Sequence, residues 1–318
     1  MAQASLQDKI VTVIGGAGFV GRAVVEQLAR QGAKVLVLTR NADKAKYLKP
    51  LGSVGQITPV GGDALDDATL QSVIAPADYV INLVGILAPS GKQSFAATQA
   101  ELPARIADMA QAAEVKKIVH ISAIGADLKS KSRYAVTKAE GERAMLRGFS
   151  PVTILRPSII FGPGDGFFNR FGAMAMVAPA LPVIGGGKNQ MQPVFVGDVA
   201  QAVVTALMSH ETDNEIYELG GPTAYSFKRL MEMTCDAVGR KKALVSVPFA
   251  AMHPVAAIMQ LLPFAPVTRD QLYLLEQDNV VSSSAKTLAD LGIEAQPVEA
   301  HIDDYLAHLR PGGRFAAK

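Results

Sequence analysis

The chain of 318 residues has a single cysteine, Cys235. This excludes an intrachain disulfide and fits a reducing compartment. Its five histidines (His120, His210, His253, His301 and His308) do not fall at metal-ligand spacing. His301 and His308 at best share one helix face, and two ligands without a carboxylate make a poor site, so no metal is expected. Charge is sparse, at 19%, and nearly balanced, at +2. With no basic-aromatic cluster, that balance argues against a nucleic-acid partner. Internal repeats and low-complexity tracts are lacking. Between Ala243 and Thr268 there is no charged residue at all. A bilayer span needs about 20 apolar residues, but Pro248, Pro254, Pro263 and Pro266 break any continuous membrane helix here, and no transmembrane span is expected. Two readings of the stretch stay open. It is either a cover over a substrate site, or a patch where Phe249, Met252, Ile258, Met259, Leu261, Leu262 and Phe264 dock on a membrane surface or protein partner.

What the chain does have is apolar material, 49% of its residues. That suffices for one large domain, or for a nucleotide-binding domain with a smaller appendage. Ile10 to Ile14 is a β-branched run that reads as a buried parallel strand. Gly15, Gly18 and Gly21 follow at every third residue, and a helix is expected from Phe19 to Gln31, stopped by Gly32. One glycine permits the tight turn, one lets backbone N–H groups reach a pyrophosphate, and one lets the helix pack against the strand. The strand before and the helix after give this motif its specificity. A second strand, Lys34 to Arg40, ends without an acid. An acid there accepts from a ribose 2′-hydroxyl and favours NAD, whereas arginine pairs with a 2′-phosphate. Arg40, with Lys44 one helical turn later, therefore points to NADP(H), with NAD(H) second; the alternative is a solvated surface arginine.

Strands and helices then alternate. Strands are expected at Gln56–Val60, Asp78–Gly85, Lys117–Ser122 and Val152–Pro157, with helices at Asp67–Ile74, Phe95–Ala113 and Tyr134–Arg147. This order predicts an α/β fold, a Rossmann doubly wound parallel sheet with a smaller C-terminal α+β lobe. Residues 1–160 are expected to form the NADP-binding domain, its sheet completed by 192–208. Residues 161–191 and 209–311 would form a smaller substrate or partner lobe, and 312–318 a flexible tail. The first strand starts so near residue 10 that no cleaved signal is expected before it.

Ligands of such sheets bind at the carboxyl ends of the strands. Gly15 to Gly21, Arg40, Asp63, Gly85, Ser122 and Pro157 all sit at such ends. Tyr134 and Lys138 are one helical turn apart and project from one face. A lysine ammonium near a phenol lowers the phenol's pKa and helps it move a proton at neutral pH. Ser122 would hold a substrate oxygen near that phenol. The candidate catalytic residues are thus Ser122, Tyr134 and Lys138.

The set Gly15-x-x-Gly18-x-x-Gly21, Asp63, Asn82 to Gly85, Ser122, Tyr134-x-x-x-Lys138 and Arg156-Pro157-x-x-x-Phe161-Gly162-Pro163 resembles the extended and atypical short-chain dehydrogenase/reductase superfamily over nearly the whole chain. His120 to Asp127, Ser132 to Tyr134, Lys138 to Glu142, Pro157 to Gly162 and Gln277 to Val281 resemble a narrower atypical branch. That branch contains the dehydrogenase-like accessory subunit of respiratory complex I and its bacterial relatives. The resemblance implies that Asp63 meets the adenine, Gly85, with Val84 beside it in the cofactor set, flanks the adenosine ribose, and Lys138 holds the nicotinamide ribose. It also implies that Pro157 and Ser158 contact the nicotinamide. Gly15, Gly18, Phe19, Val20, Gly21, Arg40 and Lys44 complete the expected cofactor set. Gln99 stands where many active relatives carry an asparagine that supports the proton relay, and Ile14 replaces a usual threonine. Met191 and Gln192 stand where sugar-nucleotide enzymes carry an arginine. The resemblance implies an NADP(H)-binding protein with a mainly structural cofactor and with complex I subunits at the membrane surface as partners. The alternatives are a working NADP(H)-dependent oxidoreductase on a carbonyl substrate and, further off, a nucleotide-sugar epimerase or dehydratase. The expected location is cytoplasmic or peripheral on the cytoplasmic face of the inner membrane.

Overall fold

A computed structural model describes residues 5–260 and 267–313. A parallel sheet of seven strands dominates it. The first six in chain order are β1 (Ile10–Ile14), β2 (Lys34–Thr39), β3 (Ile57–Gly61), β4 (Tyr79–Asn82), β5 (Lys117–Ile121) and β6 (Val152–Pro157). Across the sheet they run β3-β2-β1-β4-β5-β6, and the strand Ile216–Leu219 adds beyond β6. The order reverses between β1 and β4, the position where doubly wound sheets bind ligands. The helices are α1 (Phe19–Arg30), α2 (Asp67–Ile74), α3 (Leu102–Ala112) and α4 (Arg133–Gly148).

Period-two alternation explains the burial. Ile14, Leu38, Val80, Ile118 and Val152 pack against Leu70, Val73 and Ile74 of α2, Ile106 and Ala110 of α3 and Met145 of α4. Val11, Val13, Val35 and Val37 alternate with them and are equally buried, as expected of strands covered on both faces. The buried Thr12 hydroxyl donates to the Val73 carbonyl at 2.6 Å, tying α2 to β1.

Three local differences from the expected elements have clear causes. The helix expected over Phe95–Ala113 is not uniform: Ala96–Glu101 is a π-helical turn, and α3 follows it. A Cβ on Gly141 would stand 2.0 Å from the Gln99 carbonyl oxygen, so α4 presses on that wider turn. Ile216–Leu219, expected to open the smaller lobe, instead pairs with β6 in the main sheet; four residues are too few for periodicity to assign. Val194–Phe195 does not join the main sheet but pairs with Ile160–Phe161, and the next helix starts at Val196.

The chain divides into two compact units. The first comprises residues up to Pro157, Gly197–Leu219 and Ser284–Ile293. The second comprises Ser158–Val196, Gly220–Ser283 and the residues from Glu294 onward. The second has its own core, with Phe161, Phe168, Leu181, Phe227, Leu230, Val238 and Leu306.

In the second unit the uncharged stretch splits. Ala243–Val247 is a strand parallel to Ala180–Ile184, and Phe249–Met259 is a helix. Ala256 is buried beside Ile184 and Leu272, with Phe249 and Met252 packed against them. Val245, Val255 and Ile258 are exposed. Leu261, Leu262, Pro263, Phe264 and Pro266, assigned to this stretch from sequence, lie outside the described residues, as does the tail after Gly313. Among the described residues no helix is long and apolar enough to cross a membrane.

Candidate functional site

The carboxyl ends of β1 to β6 assemble the site, all within the first unit. Gly15 leaves β1 with φ +84°, the left-handed region that glycine enters without strain. A Cβ on Gly21 would lie 2.4 Å from the Gly16 carbonyl oxygen, so α1 starts hard against the turn. Gly16, outside the every-third pattern, is just as constrained: its Cβ would lie 2.9 Å from Val13 Cγ1. At Gly18 a Cβ would meet only the Gly15 oxygen, at 3.4 Å. No side chain caps α1 and no acid sits in its first turn. The N–H groups of Phe19, Val20 and Gly21 thus have no partner inside the helix, and they carry its positive dipole end. This donor set fits a pyrophosphate.

Arg40 follows β2, exposed, and its Nη1 donates to Gln93 Oε1 at 3.4 Å. Lys44 is also exposed and begins the 3₁₀ turn Lys44–Leu51. From that turn the Tyr47 hydroxyl donates to the Ala17 carbonyl at 2.8 Å, pinning the glycine turn. Nothing in the sequence ties Tyr47 to residue 17. Asp63, after β3, accepts from the Leu65 N–H at 3.0 Å.

Asn82 ends β4 fully buried. Its Oδ1 accepts from the Val84 N–H at 3.1 Å, so its amide nitrogen faces His120 Nδ1, also at 3.1 Å. That Nδ1 must accept, which places the imidazole proton on Nε2. Burial first, then the nearby Lys138 charge, lowers the His120 pKa from 6.5 to about 3, so the ring is neutral. Among the described residues its Nε2 has no partner, and neither has the buried hydroxyl of Ser122. His120 and Ser122 are two apart and share one face of β5.

Ser132 caps α4, accepting from the Ala135 N–H. Tyr134, half-buried, meets Phe95 edge-to-face with centroids 6.1 Å apart. Lys138 is buried, and its Nζ donates to the Ile121 carbonyl at 3.0 Å. Burial pulls its pKa from 10.5 down to about 8, although Glu142 pulls the other way. A Cβ on Gly85 would stand 3.2 Å from that Nζ. Glu142, one turn on, is held by Arg156 of β6 through bonds of 2.8 and 2.6 Å, a bidentate pair.

The fold thus brings Ser122, Lys138 and Gly85 around the end of β5, with Tyr134 one turn before Lys138, and sets the glycine turn at the end of β1. Pro157 closes β6, its carbonyl accepting from the Ile124 N–H at 3.0 Å. Ser158 begins the second unit, where its hydroxyl lies 2.6 Å from Asn279 Oδ1. From sequence, His120 stands among histidines without metal-ligand spacing and in a family-like run, with no role in the site. Its alternation with Ser122 was the available signal of a place in the site.

A family model described as NAD dependent epimerase/dehydratase matches residues 11–220. The mitochondrial NADH dehydrogenase [ubiquinone] 1 alpha subcomplex subunit 9 of Arabidopsis thaliana is 32% identical, over 98% of this chain and 80% of that one. The mitochondrial NADH-ubiquinone oxidoreductase 40 kDa subunit of Neurospora crassa is 29% identical, over 98% of this chain and 83% of that one. Among solved structures, the UDP-glucose 4-epimerase of Thermotoga maritima superposes with a TM-score of 0.67 at 19% identity, over 93% of this chain and 97% of that one; this shows the fold alone. The expected cytoplasmic placement is overturned, because these relatives are mitochondrial proteins. From its first strand to the end of its main sheet, the chain belongs to the NAD dependent epimerase/dehydratase family, an NAD(P)-binding family.

Proposed function

We propose that this chain is an NADP(H)-binding relative of the complex I accessory subunits, in which the dinucleotide mainly stabilises the fold. The observation that carries this reading is its likeness to such subunits over 98% of its length. The site supports it. Phe19, Val20 and Gly21 offer N–H groups to a pyrophosphate, Arg40 and Lys44 suit a 2′-phosphate, and Lys138 suits a ribose. Asp63, Val84, Gly85, Pro157 and Ser158 are assigned the adenine, ribose and nicotinamide contacts by family resemblance. A ligand bound only by the folded state stabilises it by about 4 kcal/mol at a thousandfold excess over Kd, so a retained nucleotide acts structurally without turnover. The first unit would hold the dinucleotide. The second, with its exposed Val245, Val255 and Ile258, would meet complex I subunits at the membrane.

The test is to purify the tagged chain from membranes that contain complex I, with mass spectrometry of any nucleotide that comes with it. The reading expects NADP(H) near one per chain and complex I subunits in the same fraction. A chain carrying neither would sink it.

A working oxidoreductase is the second reading, favoured by the buried Ser122 hydroxyl, which has no partner among the described residues. A nicotinamide dinucleotide would supply or take the hydride. Ser122 would donate to a carbonyl oxygen, Tyr134 would give that oxygen its proton, and Lys138 would hold the phenol's pKa down. A sugar-nucleotide enzyme fits less well. Gln192, where such enzymes carry an arginine, spends its amide on the Gly221 carbonyl and the Val281 N–H, at 2.7 and 2.9 Å.

A further inference from the structure

The segment Val84–Gly85–Ile86 is gripped at both ends, and its middle residue faces Lys138. At one end Asn82 accepts from the Val84 N–H and donates to His120, both at 3.1 Å. At the other, Gln99 Nε2 donates to the Ile86 carbonyl at 2.8 Å. Gln99 Oε1 lies 2.9 Å from the Thr137 hydroxyl, which shares its one proton between that oxygen and the Arg133 carbonyl at 2.8 Å. Thr137 adjoins Lys138 on α4, so this second link runs from the loop to the helix that carries the ammonium. Between the two grips Gly85 is exposed, and only its missing Cβ lets Lys138 Nζ come so close. Asn82, His120, Gln99 and Thr137 are all buried, at 0%, 1%, 1% and 3% exposure. A lost hydrogen bond among them leaves a buried polar group unpaired and the loop free to shift.

We propose that Gln99 and His120 are positioning residues that fix the Val84–Ile86 segment against Lys138, and so set the ribose-binding end of the nucleotide site. On this view the glutamine at position 99 is a brace between loop and helix. The proposal rests on the nucleotide-binding reading above. It assigns to two buried side chains, neither touching a nucleotide, control over how the half of the dinucleotide nearest Lys138 is held.

The test compares NADPH with 2′,5′-ADP, which lacks the nicotinamide ribose. Thr137→Val removes the hydroxyl that holds Gln99, and Thr137→Ser keeps it. His120→Leu removes the acceptor for Asn82, and His120→Gln restores one. The expected result is a loss of about tenfold in NADPH affinity for Thr137→Val and His120→Leu, the worth of one hydrogen bond. 2′,5′-ADP keeps the adenosine ribose assigned to Gly85 but not the nicotinamide ribose assigned to Lys138, so its affinity should fall by less, about threefold at most, and Thr137→Ser and His120→Gln should stay near wild type on both probes. Thermal unfolding without nucleotide shows that each variant is folded. Equal losses on both probes, or no loss in the folded Thr137→Val variant, would overturn the bracket. A wild-type protein that binds neither probe overturns the nucleotide reading itself, and the bracket with it.

Discussion

Gly85 and Lys138 are fitted to each other: a single methyl group on Gly85 would stand 3.2 Å from the Lys138 ammonium nitrogen. The backbone at Gly85 has no positive φ to forbid alanine, so the cost of Gly85→Ala falls on the lysine. The ammonium would move by a few tenths of an ångström, away from the place the family gives the ribose. NADPH affinity should drop about tenfold while the melting temperature changes little, since Gly85 lies on an exposed loop. Calorimetric titration and a melting curve check both halves.

Arg40 bears on the choice between NADP and NAD. It is exposed and makes one long bond to Gln93, so replacing it removes little from the fold. Arg40→Asp should weaken NADPH binding by about a hundredfold, through loss of a charge-assisted contact and repulsion of a 2′-phosphate. NADH binding should change by less than about threefold. Equal loss for both nucleotides, measured by titration, would remove Arg40 from the assigned role.

The main sheet was legible because its signals are local and redundant. Each of the first six strands is a β-branched or apolar run, and the glycine turn lies between a strand and a helix. Ile216–Leu219 was not legible: it is short, and its place beside β6 is set by tertiary pairing. The π-helical turn at Ala96–Glu101 was hidden because apolar periodicity does not separate one extra residue per turn from a regular helix. In the site, Tyr134 and Lys138 could be paired by helical spacing alone. The bracket around Gly85 could not, because it joins residues 82, 99, 120 and 137 from four elements. Sequence showed Gln99 only as a departure from a family pattern; its two hydrogen bonds show what the departure does.

Tyr134 separates the two functional readings. Its ring packs on Phe95, and Tyr134→Phe keeps that ring while removing the hydroxyl. An accessory subunit should tolerate the change, with nucleotide retention, stability and association with complex I within about twofold of wild type. In an oxidoreductase the same change removes the proton donor, and kcat/KM should fall by about a thousandfold at unchanged nucleotide affinity. The measurement is NADPH oxidation across a carbonyl panel, beside co-fractionation with complex I. If wild type turns over none of the panel and the variant assembles normally, the enzyme reading falls.

His120 gives the fold a pH dependence that can be isolated. In the folded chain burial, then the Lys138 charge, holds its pKa near 3, against 6.5 when it is free. As pH falls from 6.5 toward 3 the unfolded chain takes up a proton that the folded chain refuses. The unfolded state then binds more protons, so stability declines with falling pH across that window and levels off below it. The groups facing the ring do not offset this, because Asn82 does not titrate and Lys138 stays protonated throughout. His120→Gln keeps the hydrogen bond to Asn82 without a titrating ring. Its unfolding free energy, from urea titrations at several pH values, should fall less steeply than that of wild type between pH 6.5 and 3, and the two curves should run parallel above pH 7. Parallel curves over the whole range would mean that the ring is not held neutral, and the tautomer assigned through Asn82 would fall with it.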